Sequence, residues 1–80
     1  MIILADKKEL KEKLLRPKTH VRQERLAHEY STSEMAALIG LKNRRQYEQK
    51  EKGKAPFHDY EMLIIAHEFK KSIMYLFYEY

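Results

Sequence analysis

Eighty residues with no cysteine, two glycines and two prolines make one small domain. That composition excludes a disulfide framework and a Cys-ligated zinc, and leaves too few turn formers for a many-stranded β-fold. Sixteen cations against 12 anions give a net charge of +4, which favours a polyanionic partner, nucleic acid first.

The chain opens on MIILA, an apolar stretch that suits a short strand, a flap over the core or part of a dimer contact. It is too short for a signal-peptide core, and its charges follow rather than precede it. No apolar run approaches the roughly 20 residues of a membrane span, so the expected location is cytoplasmic, with no membrane partner. Asp6 with Glu9 is a capping pattern, and residues 6–16 read as a helix with Leu10, Leu14 and Leu15 on one stripe. Lys7, Lys8, Lys11 and Lys13 lie elsewhere on that helix, as a basic arm or a solvated face. Pro17 disfavours a helical Arg16 and ends the element. Residues 1–19 are therefore expected to be an arm or an extra helix, and residues 20–80 the main domain.

Thr19 or His20 opens the next helix, which runs to about Glu29. Ser31 and Glu34 then form a Ser-x-x-Glu capping box, in which each side chain satisfies a free backbone N–H of the other's turn. Met35, Ala36, Leu38 and Ile39 give the following helix an apolar face, and Gly40 suits the left-handed residue that ends it. A second helix is predicted from a cap at Asn43 to Glu51 or Lys52, stopped by Gly53 and Pro56. Asp59 is the expected cap of a fourth helix reaching Phe69, apolar on most sides. Ser72 is expected to cap a last helix over 73–79. Four aromatics in the final six residues exceed what one short helix hides, and such an exposed end marks an interface. Phe77, Tyr78 and Tyr80 are the candidate dimer contact, with the fourth helix second.

The charge is concentrated. From Lys42 to Lys54 there are six cations (Lys42, Arg44, Arg45, Lys50, Lys52, Lys54) and two anions (Glu48, Glu51), while the other 67 residues carry ten of each. All the excess lies on and just after the helix that starts near Asn43. Its N-terminal end offers Asn43, Arg44, Arg45 and Gln46, donors of the kind that a duplex groove accepts. Catalytic chemistry is not expected. Two glycines cannot make a phosphate loop, the serines lack a nucleophile elbow, and the four histidines are spaced 8, 30 and 9 apart, unlike helical metal pairs. His67-Glu68 begins a zinc-protease motif that Lys71 ends. The reading is therefore no enzyme, no metal and no cofactor.

Ser31-x-x-Glu34-Met35-Ala36-x-x-Ile39-Gly40-Leu41, then Tyr47, then Glu51-Lys52-Gly53-Lys54, resembles the Cro/lambda-repressor-type helix-turn-helix proteins of phages and bacteria, also called the xenobiotic-response-element family. Ile65-Ala66-x-x-Phe69 and Ser72-Ile73-x-x-Leu76-Phe77 extend the resemblance, which covers roughly residues 20–78. The spacing from Gly40 to Gly53 is similar to that of small repressors of Gram-positive phages. Val21, Arg25, Leu26 and Tyr30 fill the family's first-helix positions. The chain departs from the pattern at Lys50, where an apolar residue is usual, at Lys70–Lys71, which replace a Gly and an apolar residue, and at Glu24. The resemblance implies an all-α, compact five-helix domain with an extra N-terminal segment. It further implies a sequence-specific double-stranded DNA-binding transcription regulator, repressor-like or Cro-like, in the cytoplasm of a bacterial host. The helix over residues 43–52 then enters the major groove, with Asn43, Arg44, Arg45, Gln46 and Gln49 reading bases. Ser31, Thr32, Lys42, Lys52 and Lys54 are the expected phosphate contacts. Tyr47 either touches the backbone or packs on the core, and Glu51 and Arg25 form intradomain contacts.

A homodimer is the expected state, since one such domain reads only a few base pairs. The alternative is an antirepressor or repressor modulator, using the same fold to bind a partner protein. MIILA, the basic N-terminal helix, the aromatic tail and Lys50 favour that alternative.

Overall fold

The computed structural model describes residues 15–80. MIILA lies outside them, as does the expected helix over 6–16 except for Leu15, which sits in a bend, and Arg16, which is not helical. The described residues form four α-helices, α1 (Thr19–Ala27), α2 (Thr32–Leu38), α3 (Arg44–Glu51) and α4 (Asp59–Phe69), and a π-helical turn, Met74–Tyr78, with no strand among them. This is the expected all-α class. Among the described residues no helix is long and apolar enough to cross a membrane.

The boundaries follow local chemistry. Ser31 caps α2 with a complete capping box: Glu34 N–H donates to Ser31 Oγ at 3.0 Å, and Ser31 N–H donates to Glu34 Oε1 at 2.9 Å. Gly40 ends that turn at φ +77°, with open space around its missing Cβ. Asn43 Oδ1 accepts from Gln46 N–H at 3.0 Å and starts α3. Two expected boundaries shift. The residue capping α4 is His58, with Asp59 inside the helix, because Glu61 reaches back to accept from His58 N–H at 2.8 Å. The last element winds as a π-turn rather than an α-helix. Ser72 does cap it, accepting from Tyr75 N–H at 3.1 Å, and the wider winding accompanies burial of the adjacent Leu76 and Phe77.

The core gathers Val21, Met35, Ala36, Ile39, Tyr47, Phe57, Ile65, Phe69, Leu76 and Phe77. Phe57 is its hinge, edge-on to Tyr47 at 6.1 Å and to Phe77 at 5.1 Å between ring centroids. Burying each such side chain contributes about 1.5–3 kcal/mol. Leu38 packs on this core only partly, and Leu26, which the resemblance places at a first-helix position, is exposed. α2 and α3 pack on each other across the turn at 39–43, the most extensive pairing in the domain.

One close approach ties the chain's entry to α3. Lys18 N–H donates to Glu51 O at 2.8 Å. Gly53 lies so close to the Arg16–Pro17 backbone that an added Cβ would stand 2.4 Å from Arg16 C. Tyr80 folds back beside them: its ring lies under the Arg16 guanidinium at 4.2 Å, its hydroxyl donates to Phe77 O, and Lys18 Nζ donates to that hydroxyl.

Candidate nucleic-acid interface

α3 has two unlike faces. Tyr47, Lys50 and Glu51 point inward and are buried. Three- and four-residue spacing places Arg45, Gln49 and Lys52 on the opposite side, with Arg44, Gln46 and Glu48 flanking them. Arg44, Arg45, Gln46 and Lys52 are exposed and Gln49 is half-buried.

Two buried ion pairs set the height and rotation of this helix. Arg25 of α1 grips Glu51 with two bonds, Nε to Oε2 at 2.9 Å and Nη2 to Oε1 at 3.1 Å. The Tyr47 hydroxyl donates to the same Oε2 at 2.6 Å, and Arg25 Nη1 donates to Tyr30 O at 3.0 Å. The Glu51 hydrogen bond raises the Arg25 pKa above its ordinary value despite burial. Burial first, then the Glu51 carboxylate, pushes the Tyr47 hydroxyl far up. The second pair is Lys50 Nζ to Glu61 Oε1 at 2.6 Å, which joins α3 to the first turn of α4. Lys50 at a usually apolar position is thus buried against a carboxylate, with its ammonium 6.0 Å from the Phe57 ring centre. Sequence reasoning missed this partner. Its signal was the apolar position itself, since a lysine there needs an anion within reach.

The remaining expected contacts divide. Lys42, Lys52 and Lys54 are exposed at the two ends of α3. Asn43 and Gln46 are exposed too, but each has a side-chain oxygen engaged: Asn43 Oδ1 caps α3, and Gln46 Oε1 accepts from Lys42 N–H at 3.1 Å. Both keep their amide NH2 for a ligand. Ser31 Oγ accepts the capping bond and retains its own O–H. The Thr32 hydroxyl is committed to Glu48 Oε2 at 2.7 Å. That bond, then the charges of Arg44 and Lys52, lower the Glu48 pKa, so Glu48 holds an anion where a phosphate was expected. This residue was not singled out in the sequence.

Beside this contact lies an open groove of about 370 Å³ lined by Lys18, Thr19, Arg22, Thr32, Glu48 and Lys52, with Arg25–Glu51 as its floor. Arg22 is an exposed cation on α1 that sequence reasoning also passed over. One expected interface residue is corrected. Phe77 is 1 % exposed and belongs to the core, because the π-turn directs it onto Phe57. Tyr78 is exposed, and Tyr80, though about half exposed, is engaged with Arg16 and Lys18. No group of side chains among the described residues is arranged to hold a metal ion. No family model, curated protein or solved structure matches the chain.

Proposed function

We propose that this chain is a sequence-specific double-stranded DNA-binding transcription regulator of the small Cro-like or repressor-like type, acting in the cytoplasm of a bacterial host. The observation that supports it is the asymmetry of α3. Two buried ion pairs and the Tyr47 ring lock one face to the body, and the other face offers Arg45, Gln49 and Lys52 flanked by Arg44 and Gln46. A helix so held presents its side chains at fixed height and rotation, which groove reading requires. Arg44 or Arg45 pairs with guanine O6 and N7, and Gln46 or Gln49 with adenine. Lys42, Lys52 and Lys54 hold phosphates at the ends.

The test is selection of bound duplexes from a random pool at two salt concentrations. Enrichment of related half-sites, with log affinity falling by about 0.9 per phosphate contacted for each decade of salt, supports the reading. Binding at neither salt would overturn it in favour of an antirepressor that uses the fold to bind a protein. Variants separate the roles. Arg45→Ala relaxes preference at one position and costs about 1–3 kcal/mol there, whereas Lys54→Ala weakens all sequences alike. Glu48→Gln strengthens binding to every sequence by removing an anion from the phosphate-facing side. Equal behaviour of Arg45→Ala and Lys54→Ala would break the division into reading and positioning residues.

A further inference from the structure

The end of α3 is clasped by residues distant from it in the chain. Lys18 N–H donates at 2.8 Å to Glu51 O, one of the last carbonyls of α3, which a helix leaves without an internal partner. The same entry segment lies against Gly53, where an added Cβ would stand 2.4 Å from Arg16 C and 2.6 Å from Pro17 N. Tyr80 holds that segment in turn. Its ring lies 4.2 Å from the Arg16 guanidinium carbon, and its hydroxyl accepts from Lys18 Nζ at 3.1 Å. The same hydroxyl donates to Phe77 O at 3.0 Å, and Phe77 is buried in the core. The contacts therefore run in series from the core through Phe77, Tyr80 and residues 16–18 to the end of α3, where Lys52 and Lys54 flank Gly53.

We propose that Tyr80 is a positioning residue for DNA: by holding residues 16–18 against Gly53 and the end of α3, it fixes Lys52 and Lys54 where they meet phosphates. This role rests on the DNA-binding reading above. Two observations select it over closure of the core. Tyr80 is 46 % exposed and stands outside the core, so burial does not account for a side chain whose ring and hydroxyl are both engaged. Second, that side chain holds Arg16 and Lys18 with a ring face and a hydroxyl, which attract cations without cancelling their charge. A carboxylate in its place would hold them as well, but it would set an anion near the lysines that face phosphate. The end of α3 thus keeps a positive field, which draws a polyanion. Holding the lysines in advance matters because ordering one long side chain on binding costs about two- to tenfold in affinity.

Tyr80→Ala removes both contacts, and Tyr80→Phe keeps the ring under Arg16 but loses the hydroxyl. The first measurement needs no DNA. Hydrogen exchange at the Lys18 amide, followed by NMR, should quicken by about tenfold or more in Tyr80→Ala and by less in Tyr80→Phe. The Ile65 amide, in the middle of α4, should keep the parent's rate and so report that the domain is folded. The second measurement is affinity for a selected and for a random duplex across salt. Tyr80→Ala should weaken both by the same factor, about two- to tenfold, with the preferred sequence unchanged. The salt slope should become shallower by up to about 0.9 for each lysine released, which a merely structural role would not move. In a chain already carrying Lys52→Ala and Lys54→Ala, Tyr80→Ala should cost little more, because the residues it positions are gone. An unchanged Lys18 amide overturns the proposal. So does unchanged affinity of Tyr80→Ala where Lys54→Ala binds more weakly, or full additivity in the triple variant; each leaves the DNA reading standing. A parent chain that binds neither duplex overturns the DNA reading, and this role with it.

Discussion

The two buried ion pairs behind α3 differ in completeness. Every polar atom of the Arg25–Glu51 carboxylate is used: Oε1 and Oε2 accept from Arg25, Oε2 also accepts from Tyr47, and the spare guanidinium N–H reaches Tyr30 O. In Lys50–Glu61 one oxygen, Oε1, takes both the Lys50 ammonium and the His58 N–H, while Oε2 is buried with no hydrogen-bond partner. A buried pair offsets its desolvation only when the remaining hydrogen-bonding positions are filled. The first pair meets that condition and stabilises the domain. The second fixes the placement of α3 against α4 at little or no net gain.

Breaking the complete pair has the largest expected effect. Arg25→Met leaves Glu51 buried and uncompensated, at about 3–5 kcal/mol. The whole domain has only about 4–12 kcal/mol to lose, so the variant is at or near unfolding at 25 °C. Urea titration checks it, and a loss under about 1 kcal/mol would show that the network contributes little. Removing both partners sharpens the contrast. Arg25→Met with Glu51→Met stays destabilised, since the Tyr47 hydroxyl and the Tyr30 carbonyl lose partners at about 1–3 kcal/mol each. Lys50→Met with Glu61→Met should fall within about 1 kcal/mol of the parent or above it, whereas Lys50→Met alone costs about 3–5 kcal/mol. Equal behaviour of the two double variants would erase the distinction.

Much of this was legible in the chain. The capping box at Ser31–Glu34, the left-handed Gly40 and the Asn43 cap all follow from local chemistry within four residues, whereas Tyr47, which suited either the backbone or the core, is placed in the core only by the packing around it. What was hidden depends on tertiary proximity. Glu61 is 11 residues from Lys50, and Thr32 is 16 from Glu48. Neither pairing has a sequence spacing that announces it. Phe77 was misplaced because hydrophobicity alone does not tell a core ring from an interface ring; the π-turn decides that. The residues proposed to read bases were legible only as a class, polar and basic on one helix. Which of them face outward became visible once Lys50 and Glu51 were seen to be inward.

A smaller effect separates the pairs by pH. The Tyr47 hydroxyl is raised above its ordinary value of 10.0 by burial and by the Glu51 carboxylate. The folded state therefore favours the neutral phenol. Its contribution is fully present below about pH 10 and is lost as pH climbs toward the folded value, because only the unfolded chain sheds the proton easily. Stability should fall in the alkaline range. That fall should shrink in Tyr47→Phe, which also lowers stability at neutral pH, and should persist in Lys50→Met with Glu61→Met. An alkaline limb unchanged in Tyr47→Phe would assign it to other tyrosines.

The smallest effect concerns a second lysine at an unusual position. Like Lys50, Lys70 departs from the resembled pattern, which has Gly there, but its conformation carries a cost that Lys50 avoids. It ends α4 in the left-handed region at φ 55° and ψ 42°, where a Cβ is disfavoured by about 1–2 kcal/mol. Lys70→Gly relieves that strain but adds flexibility to the unfolded chain, so the net gain is about 0.5–1 kcal/mol. In a domain of this size that raises the melting temperature by about 2–8 °C. Glu29, at φ 60° after α1, should respond to Gly in the same direction. Thermal melts on both variants measure the gain, and a melting temperature unchanged or lowered in Lys70→Gly would show that this left-handed residue carries no relievable strain.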